Sequence, residues 1–155
     1  MMKLNCKYIQ KILFKGILLL VVCILPFSSY AKSDLKGEFN LHSVNFVQKS
    51  IDVSKSDETL YFSLRAYSLQ GLNKVDIYFE SPSGKEMIQT TCENKKKTKV
   101  GMLLGRILFK KKSENGEWKI SKIVLVDWEG NCHTYDKKFL AENKFTHSLL
   151  IKNKR

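Results

Sequence analysis

The chain has 155 residues, and its 27 Lys and Arg outnumber its 15 Asp and Glu to give a formal net charge of +12. This surplus favours attraction to polyanions such as nucleic acid, acidic glycans or anionic lipid, but it does not select one of them. The length is sufficient for a single domain with a hydrophobic core of its own, which excludes a need for a structural metal.

The start of the chain has the pattern of a secretory signal peptide. Residues 1–15 carry four Lys and no acid, an apolar run occupies 17–25, and Ser29 and Ala31 supply small residues at the two positions that a signal peptidase recognises. An uncleaved membrane anchor is the alternative, but the run is shorter than the roughly 20 apolar residues that a span needs. We therefore expect a signal-peptide helix that is cleaved after Ala31, no stable membrane span afterwards, and a polar leader at 32–38.

Beyond residue 38, apolar residues alternate with polar ones, which is the pattern of half-buried β-strands. The alternation is clearest at 60–67 and 74–80. Weaker strand patterns occupy 39–46, 50–54, 87–92, 100–109, 118–126, 132–135 and 145–151, and a short helical turn is expected at 137–143. This many short strands without a strong helical period predict an all-β fold, a two-sheet antiparallel sandwich.

Two strand segments have features of irregular packing. Trp118 and Ile120 share one face of their strand, but the apolar face then shifts to Ile123 and Leu125. This phase change requires either a β-bulge or burial on both faces. Gly101 and Gly105, inside the preceding strand, weaken its strand pattern and indicate a bulge or a close approach of two segments. We expect Trp118 to lie in the core.

Three segments together resemble the immunoglobulin-like β-sandwich modules of bacterial secreted and cell-surface proteins. They are Ile51–Ser54, the strand and Ser-Pro-x-Gly turn of Val75–Gly84, and Gly116–Ile120 running on to Asp127–Asn131. The resemblance extends over nearly the whole of 39–153. It implies an immunoglobulin-like antiparallel sandwich over that range and implies no catalytic residues.

Cys92 and Cys132 are the two cysteines that remain after the predicted cleavage. A pair of cysteines in an exported protein most often forms a disulfide. We predict a Cys92–Cys132 disulfide, which would stabilise the fold by roughly 4 kcal/mol on the chain-entropy model. Two reduced, buried thiols are the alternative.

The segment after residue 126 has the residue types of a site. Asp127–Asn131 places three oxygen-bearing side chains close together, as in a calcium site, but an Asp/Gly/Asn β-turn has the same composition, and we favour the turn. Cys132 and His133 suggest a thiol nucleophile or metal ligands, but neither a third positioning group nor a set of about four ligands is present nearby. We predict no catalytic residue, no metal, no cofactor and no enzymatic activity.

Trp128 and two lysine clusters are the remaining candidates for binding. Trp128 lies in the predicted turn, where it either contacts a partner or sugar or covers the end of the sandwich. The basic clusters flank the predicted strand at 100–109 and comprise Lys95, Lys96, Lys97 and Lys110, Lys111, Lys112. We expect solvated loops, with weak polyanion binding as the alternative, because a nucleic-acid surface interleaves Arg and aromatic residues with such lysines.

These features predict an exported, non-enzymatic binding or structural module in the periplasm, the secreted fraction or the cell surface of a bacterium. The expected partner is another protein or a cell-envelope glycan, and nucleic acid is not expected. The alternatives are a secreted hydrolase or inhibitor with an unrecognised site, and a basic binder of polyanions such as glycan, lipid headgroups or nucleic acid.

Overall fold

A computed structural model describes residues 38–154. The predicted signal peptide and all of the predicted leader except Glu38 lie outside the described residues. The described chain contains nine strands and one short helix in the order β1 (Phe39–Phe46), β2 (Ser50–Asp52), β3 (Glu58–Ser68), β4 (Leu72–Glu80), β5 (Met87–Glu93), β6 (Val100–Phe109), β7 (Gly116–Asp127), β8 (Cys132–Asp136), α1 (Lys137–Glu142) and β9 (Ser148–Lys152).

The strands form two sheets, so the all-β, two-sheet prediction is confirmed. The first sheet has three strands in the order β1-β3-β6, all antiparallel. The second has the order β2-β9-β7-β4-β5. Its β2 and β9 are parallel, which corrects the prediction of an antiparallel sandwich for this one pair. Strand β7 is its longest member. It pairs along one side with β4, and on the other with β9 near its start and β8 near its end.

The hydrophobic core is made by the inward rows of the two sheets. Leu60, Phe62, Leu64 and Ala66 are buried along β3, as their alternation predicts. Trp118 on β7 is fully buried, and its indole N–H donates to the Glu114 carbonyl oxygen at 2.9 Å. A buried indole needs such a partner for its single donor. The prediction that Trp118 lies in the core is confirmed.

A β-bulge in β7 explains the phase change of its apolar residues. The pairing of β7 with β4 shifts between Tyr78, opposite Lys122, and Phe79, opposite Ile120. Ser121 is the extra residue, and its hydroxyl donates to the Tyr78 carbonyl oxygen at 3.2 Å. The inserted residue returns the next apolar side chain to the core side, so the bulge alternative is the correct one.

The predicted Cys92–Cys132 disulfide is not formed, and both cysteines are free thiols. Cys92 lies on β5 and Cys132 on β8, and two strands, β4 and β7, separate them. Three strand spacings amount to roughly 14 Å, whereas the Cα atoms of a disulfide lie within about 7 Å of each other. Cys92 is also buried in the core, whereas Cys132 pairs with Val126 in the row that faces away from it.

The short helix α1 lies where the sequence predicts a helical turn. Asp136 is its N-cap and accepts a hydrogen bond from the Phe139 amide at 2.8 Å. Leu140 anchors the helix because it is fully buried. In the part of the chain that the structure describes, no helix has the length and hydrophobicity required to cross a membrane.

Candidate functional site

Three loops meet at one end of the two-sheet fold. They are residues 69–71 between β3 and β4, residues 94–99 between β5 and β6, and residues 128–131 between β7 and β8. The Trp128 amide donates to the Gly71 carbonyl oxygen at 3.1 Å, and the Leu72 amide donates to the Thr98 carbonyl oxygen at 3.0 Å. These backbone hydrogen bonds join the three loops into one surface, which we call the three-loop end.

Gly71 lies between the two kinds of candidate binding residue. Its φ of +88° is in the left-handed region, which favours glycine. A Cβ at this position would lie 3.2 Å from Trp128 Cδ1 and 3.4 Å from Lys97 Cγ. The indole and the lysine stem therefore flank the same glycine. The structure brings together Trp128 and Lys97, which are 31 residues apart in the sequence.

Trp128 is held on a rigid turn. The buried Asp127 carboxylate accepts hydrogen bonds from the Glu129 amide at 2.9 Å and from the Asn131 amide at 2.7 Å through Oδ1. Its Oδ2 accepts from the Asn131 side-chain amide at 2.8 Å. Gly130 has a φ of +78°. The turn interpretation of Asp127–Asn131 is confirmed, and both carboxylate oxygens of Asp127 already accept hydrogen bonds within the turn.

The lysines of the three-loop end are exposed and unpaired. Lys95, Lys96, Lys97 and Lys99 all lie at the surface, and none of them forms an ion pair with another residue of 38–154. Lys97 and Lys99 line a hollow of about 260 Å³ together with residues 69–71. The three loops carry four lysines against a single acid, Glu129. The surface is therefore positive next to an indole that is 41% exposed.

The backbone of the lysine loop is ordered by one side chain. The Asn94 amide group donates to the Leu72 carbonyl oxygen at 2.9 Å and to Thr98 Oγ1 at 3.3 Å. Its Oδ1 accepts a hydrogen bond from the Lys96 amide at 3.2 Å. These contacts fix the loop against β4, so that the lysines project from a defined backbone.

The second lysine cluster lies at the other end of β6. Lys110 forms a 2.9 Å ion pair with Asp57, and the Lys111 amide donates to Asp57 Oδ1 at 2.8 Å. The hydrogen bond from the Lys111 amide has the larger effect and that from the Lys110 ammonium group the next, and both lower the pKa of Asp57 below its usual value. The ten residues of β6 separate the two clusters by roughly 30 Å. Lys110, Lys111 and Lys112 are therefore not part of the three-loop end.

A cleft beside the β4–β5 turn contains two carboxylates, the residue type that a hydrolase needs. Glu80 pairs with Lys137 at 2.9 Å, and Glu117 pairs with Lys119 at 3.1 Å. A hydrogen bond from the Ser148 hydroxyl, and next the Lys119 ammonium group, lower the pKa of Glu117. A general acid needs a raised pKa instead. The carboxylates of this cleft have the arrangement of surface ion pairs.

Cys132 and His133 are neighbours on β8, and the His133 ring packs against aromatic rings. Cys132 is half-buried, and the His133 ring contacts the rings of Phe39 and Tyr135, with centroid distances of 6.1 Å and 4.6 Å. His133 therefore packs at the edge of the aromatic core. Within residues 38–154, no cluster of His, Cys, Asp or Glu could hold a metal ion.

Gly71 is the residue of the three-loop end that the sequence analysis missed. In the sequence it is one glycine of an ordinary connection between two strands. Only the meeting of three loops gives it a role, so no sequence pattern could have identified it.

The sequence matches no protein-family model and no curated protein. Among solved structures, the chain is similar to Cwp6 from Clostridium difficile, with 14% identity and a TM-score of 0.49 over 74% of this chain and 17% of that one. It is also similar to wild-type OgpA from Akkermansia muciniphila, with 15% identity and a TM-score of 0.43 over 67% of this chain and 29% of that one. The chain thus spans less than a third of either protein.

Proposed function

We propose that this chain is an exported, non-catalytic binding module and that its ligand is an anionic polysaccharide, bound at the three-loop end. The proposal is carried by one observation, the exposed indole of Trp128 beside the unpaired Lys97. The predicted signal peptide supports export, and an exported protein meets the acidic glycans of the cell envelope.

The two side chains have complementary roles in binding such a polymer. The flat apolar face of the indole stacks on a sugar ring, and its position on the rigid turn lowers the entropy cost of binding. The ammonium groups of Lys97 and Lys99 pair with carboxylate or sulfate groups on neighbouring sugars. The positive charge of the chain attracts the polymer over a longer range.

We further propose that the sandwich is immunoglobulin-like, and the strand order supports this. In an immunoglobulin sandwich, strands A, B and E share one sheet, and C, F and G share the other, with C′ added in variable-type domains. Here β1, β3 and β6 take the places of A, B and E, while β4, β5, β7 and β9 take those of C, C′, F and G. On this assignment, the three-loop end presents the loops that follow B, C′ and F.

The test is affinity electrophoresis and titration with heparin, polygalacturonate, neutral dextran and single-stranded DNA. We expect at least one of the two acidic glycans to bind and dextran not to bind. Trp128→Ala should weaken glycan binding about tenfold, in line with the energy of an aromatic stacking contact. Lys97→Ser with Lys99→Ser should weaken it similarly and should reduce its dependence on salt.

The matched control is Lys110→Ser with Lys112→Ser, which removes the same charge at the opposite end of β6. We expect this variant to bind the glycan nearly as well as the wild-type protein. Equal losses in the two double variants would overturn the proposed site, because they would indicate attraction by total charge. Equal affinity of wild-type protein and Trp128→Ala, or tighter binding to DNA than to either acidic glycan, would overturn sugar recognition.

A further inference from the structure

The outer face of the three-stranded sheet is apolar, and no other element of residues 38–154 covers it. Alternate side chains of β3 and β6 point away from the core, and the apolar ones among them have large exposed fractions. These are Leu104 at 79%, Met102 at 71%, Tyr61 at 53%, Leu108 at 46% and Val100 at 44%. Five large apolar side chains on two paired strands form a contiguous surface, of a kind that monomeric proteins rarely leave in water.

Two arginines flank the centre of this outer face. Along the β3–β6 pairing, Arg65 lies opposite Met102, Ser63 opposite Leu104, and Tyr61 opposite Arg106. Directly opposite side chains in a sheet have Cβ atoms about 5 Å apart. Leu104, the most exposed apolar residue, therefore lies between the residue pairs that contain the two arginines, next to the small Ser63.

The charge of these arginines is not balanced within the described chain. Neither Arg65 nor Arg106 forms an ion pair with a carboxylate of residues 38–154. The outward positions of β1, β3 and β6 carry no Asp or Glu at all. The chain has three arginines against 24 lysines, and both arginines of the described part lie on this face. Lysine supplies the positive charge elsewhere on the described surface.

We infer that this outer face docks a second protein whose contact surface combines apolar side chains with carboxylates. Tyr, Met and Arg are enriched in protein interfaces, and arginine binds a carboxylate through two parallel hydrogen bonds. A partner with these groups would cover Leu104 and Met102 and would neutralise both guanidinium groups. The outer face adjoins the three-loop end, since Lys95 lines a hollow together with Tyr61, Leu104 and Arg106. The inference rests on the apolar side chains and arginines of β3 and β6 and not on Trp128 or Lys97, so it does not depend on glycan binding.

Charge complementarity argues against a second copy of the chain as the occupant. A symmetric dimer through this face would bring four guanidinium groups together, and the outward positions of β3 and β6 have no carboxylate to pair with them. Glu93, the one acid that lines a hollow with Arg106, shares that hollow with Lys95. The desolvation of unpaired charges in an interface is costly. An anionic membrane is a weaker occupant, because the small Ser63 beside the most exposed leucine leaves little apolar volume at the centre of this face to insert into a bilayer.

The probe for this inference is a synthetic peptide of about 12 residues that alternates Leu and Glu, long enough to cover the ten-residue β6. A peptide that alternates Ser and Glu keeps the negative charge without the apolar side chains, and a peptide that alternates Leu and Lys keeps the apolar side chains with the opposite charge. We expect the Leu–Glu peptide alone to bind, with amide chemical-shift changes concentrated on β3 and β6. Leu104→Ser, and Arg65→Gln with Arg106→Gln, should each weaken binding at least about tenfold.

The matched controls lie on the other sheet. Met87→Ser changes a side chain that is 61% exposed, and Lys122→Gln removes one positive charge; both variants should bind the peptide as the wild-type protein does. Equal binding of the Ser–Glu peptide, or unchanged binding by the Leu104 variant, would overturn the inference. Two further results would overturn it. One is that anionic phosphatidylglycerol vesicles bind through the same residues while the peptide does not bind. The other is that sedimentation shows a dimer of the wild-type protein that Leu104→Ser dissociates.

Discussion

Cys92 and Gly105 approach so closely that a Cβ on Gly105 would lie 2.5 Å from Cys92 Sγ. The same atom would lie closer still to the ring of Phe62, which is opposite Gly105 in the β3–β6 pairing. Strands β5 and β6 are edges of different sheets, and the Thr90 hydroxyl joins them by donating to the Arg106 carbonyl oxygen at 3.0 Å. The missing side chain of Gly105 thus lets β6 lie directly over the core at the edge where the two sheets meet.

Gly105→Ala should therefore destabilise the protein. The added methyl group must displace both Cys92 and Phe62, and overpacking of this kind costs about 1–3 kcal/mol. Chemical denaturation measures the loss in the free energy of unfolding. Leu104→Ala, on the same strand but exposed, is the control and should change this free energy by less than about 0.5 kcal/mol.

A double variant tests the cause of that loss. Cys92→Ala removes the sulfur that the new methyl group meets, so the two substitutions should be non-additive, and Gly105→Ala should cost less in the Cys92→Ala background. Strictly additive costs would contradict the close approach of Cys92 to Gly105.

The two free thiols should react at very different rates. Cys92 is buried, and burial, together with the nearby charge of Asp76, raises its pKa to about 11. Cys132 is half-buried. Because the thiolate is the reactive form, iodoacetamide should modify Cys132 in the native protein and Cys92 only after unfolding. Peptide mapping by mass spectrometry without reductant measures both sites. A peptide that links Cys92 to Cys132 would contradict the strand order.

The raised pKa of Cys92 also predicts a loss of stability at alkaline pH. Below pH 9.0, the ordinary value, the thiol is protonated in both the folded and the unfolded states. Between pH 9 and about 11 the unfolded state ionises first, so stability falls as the pH rises. The total loss is on the order of 3 kcal/mol, since the shift from 9.0 to about 11 spans about two pKa units and each unit corresponds to about 1.4 kcal/mol.

The comparison for this pH dependence is Cys92→Ala. Lysines and tyrosines also titrate in this range, but they are the same in both proteins. The free energy of unfolding should therefore decline less steeply with pH in the variant than in the wild-type protein. Parallel curves would show that the Cys92 thiol ionises equally easily in the folded and unfolded states.

Local patterns in the sequence were sufficient for most of the fold. The alternation along β3 and β4 depends on side-chain direction within one strand, and this repeats every two residues whatever the partner strand is. The shift from Ile120 to Ile123 likewise records a bulge within a single strand. The buried Trp118 and the Asp127–Asn131 turn follow from neighbouring residues in the same way.

The incorrect disulfide prediction had a non-local cause. Whether Cys92 and Cys132 meet depends on which strands lie between them and on which face each side chain occupies. Cysteine counting contains neither kind of information. The same limit applied to Trp128 and Lys97, which the sequence assigned to unrelated loops. The sequence also did not reveal the exposed apolar face of β6. In β6 the outward and the inward residues are both apolar, as in the run Met102 to Leu104, so the sequence does not indicate which side of the strand is buried.

The Asp127 carboxylate holds the turn that carries Trp128, because it accepts hydrogen bonds from Glu129 and Asn131. Asp127→Ala removes the carboxylate that accepts from the Glu129 and Asn131 amides in part-buried hydrogen bonds. The loss of such bonds should lower the free energy of unfolding by about 1–3 kcal/mol. Asp127→Asn keeps an acceptor oxygen and should cost less. Glycan binding should weaken in both variants, in the same order, because the turn no longer fixes the indole.

Thermal unfolding and glycan titration of the two Asp127 variants measure these effects, and Glu142→Ala, at an exposed position in α1, is the control for loss of a single acidic group. The wild-type protein should unfold at the same temperature with calcium chloride as with a chelator, because hydrogen bonds within the turn already occupy the Asp127 carboxylate. A calcium-dependent rise in Tm that Asp127→Asn abolishes would contradict this turn and favour a metal site. A loss of stability in Asp127→Ala without weaker glycan binding would separate the turn from the proposed function of Trp128.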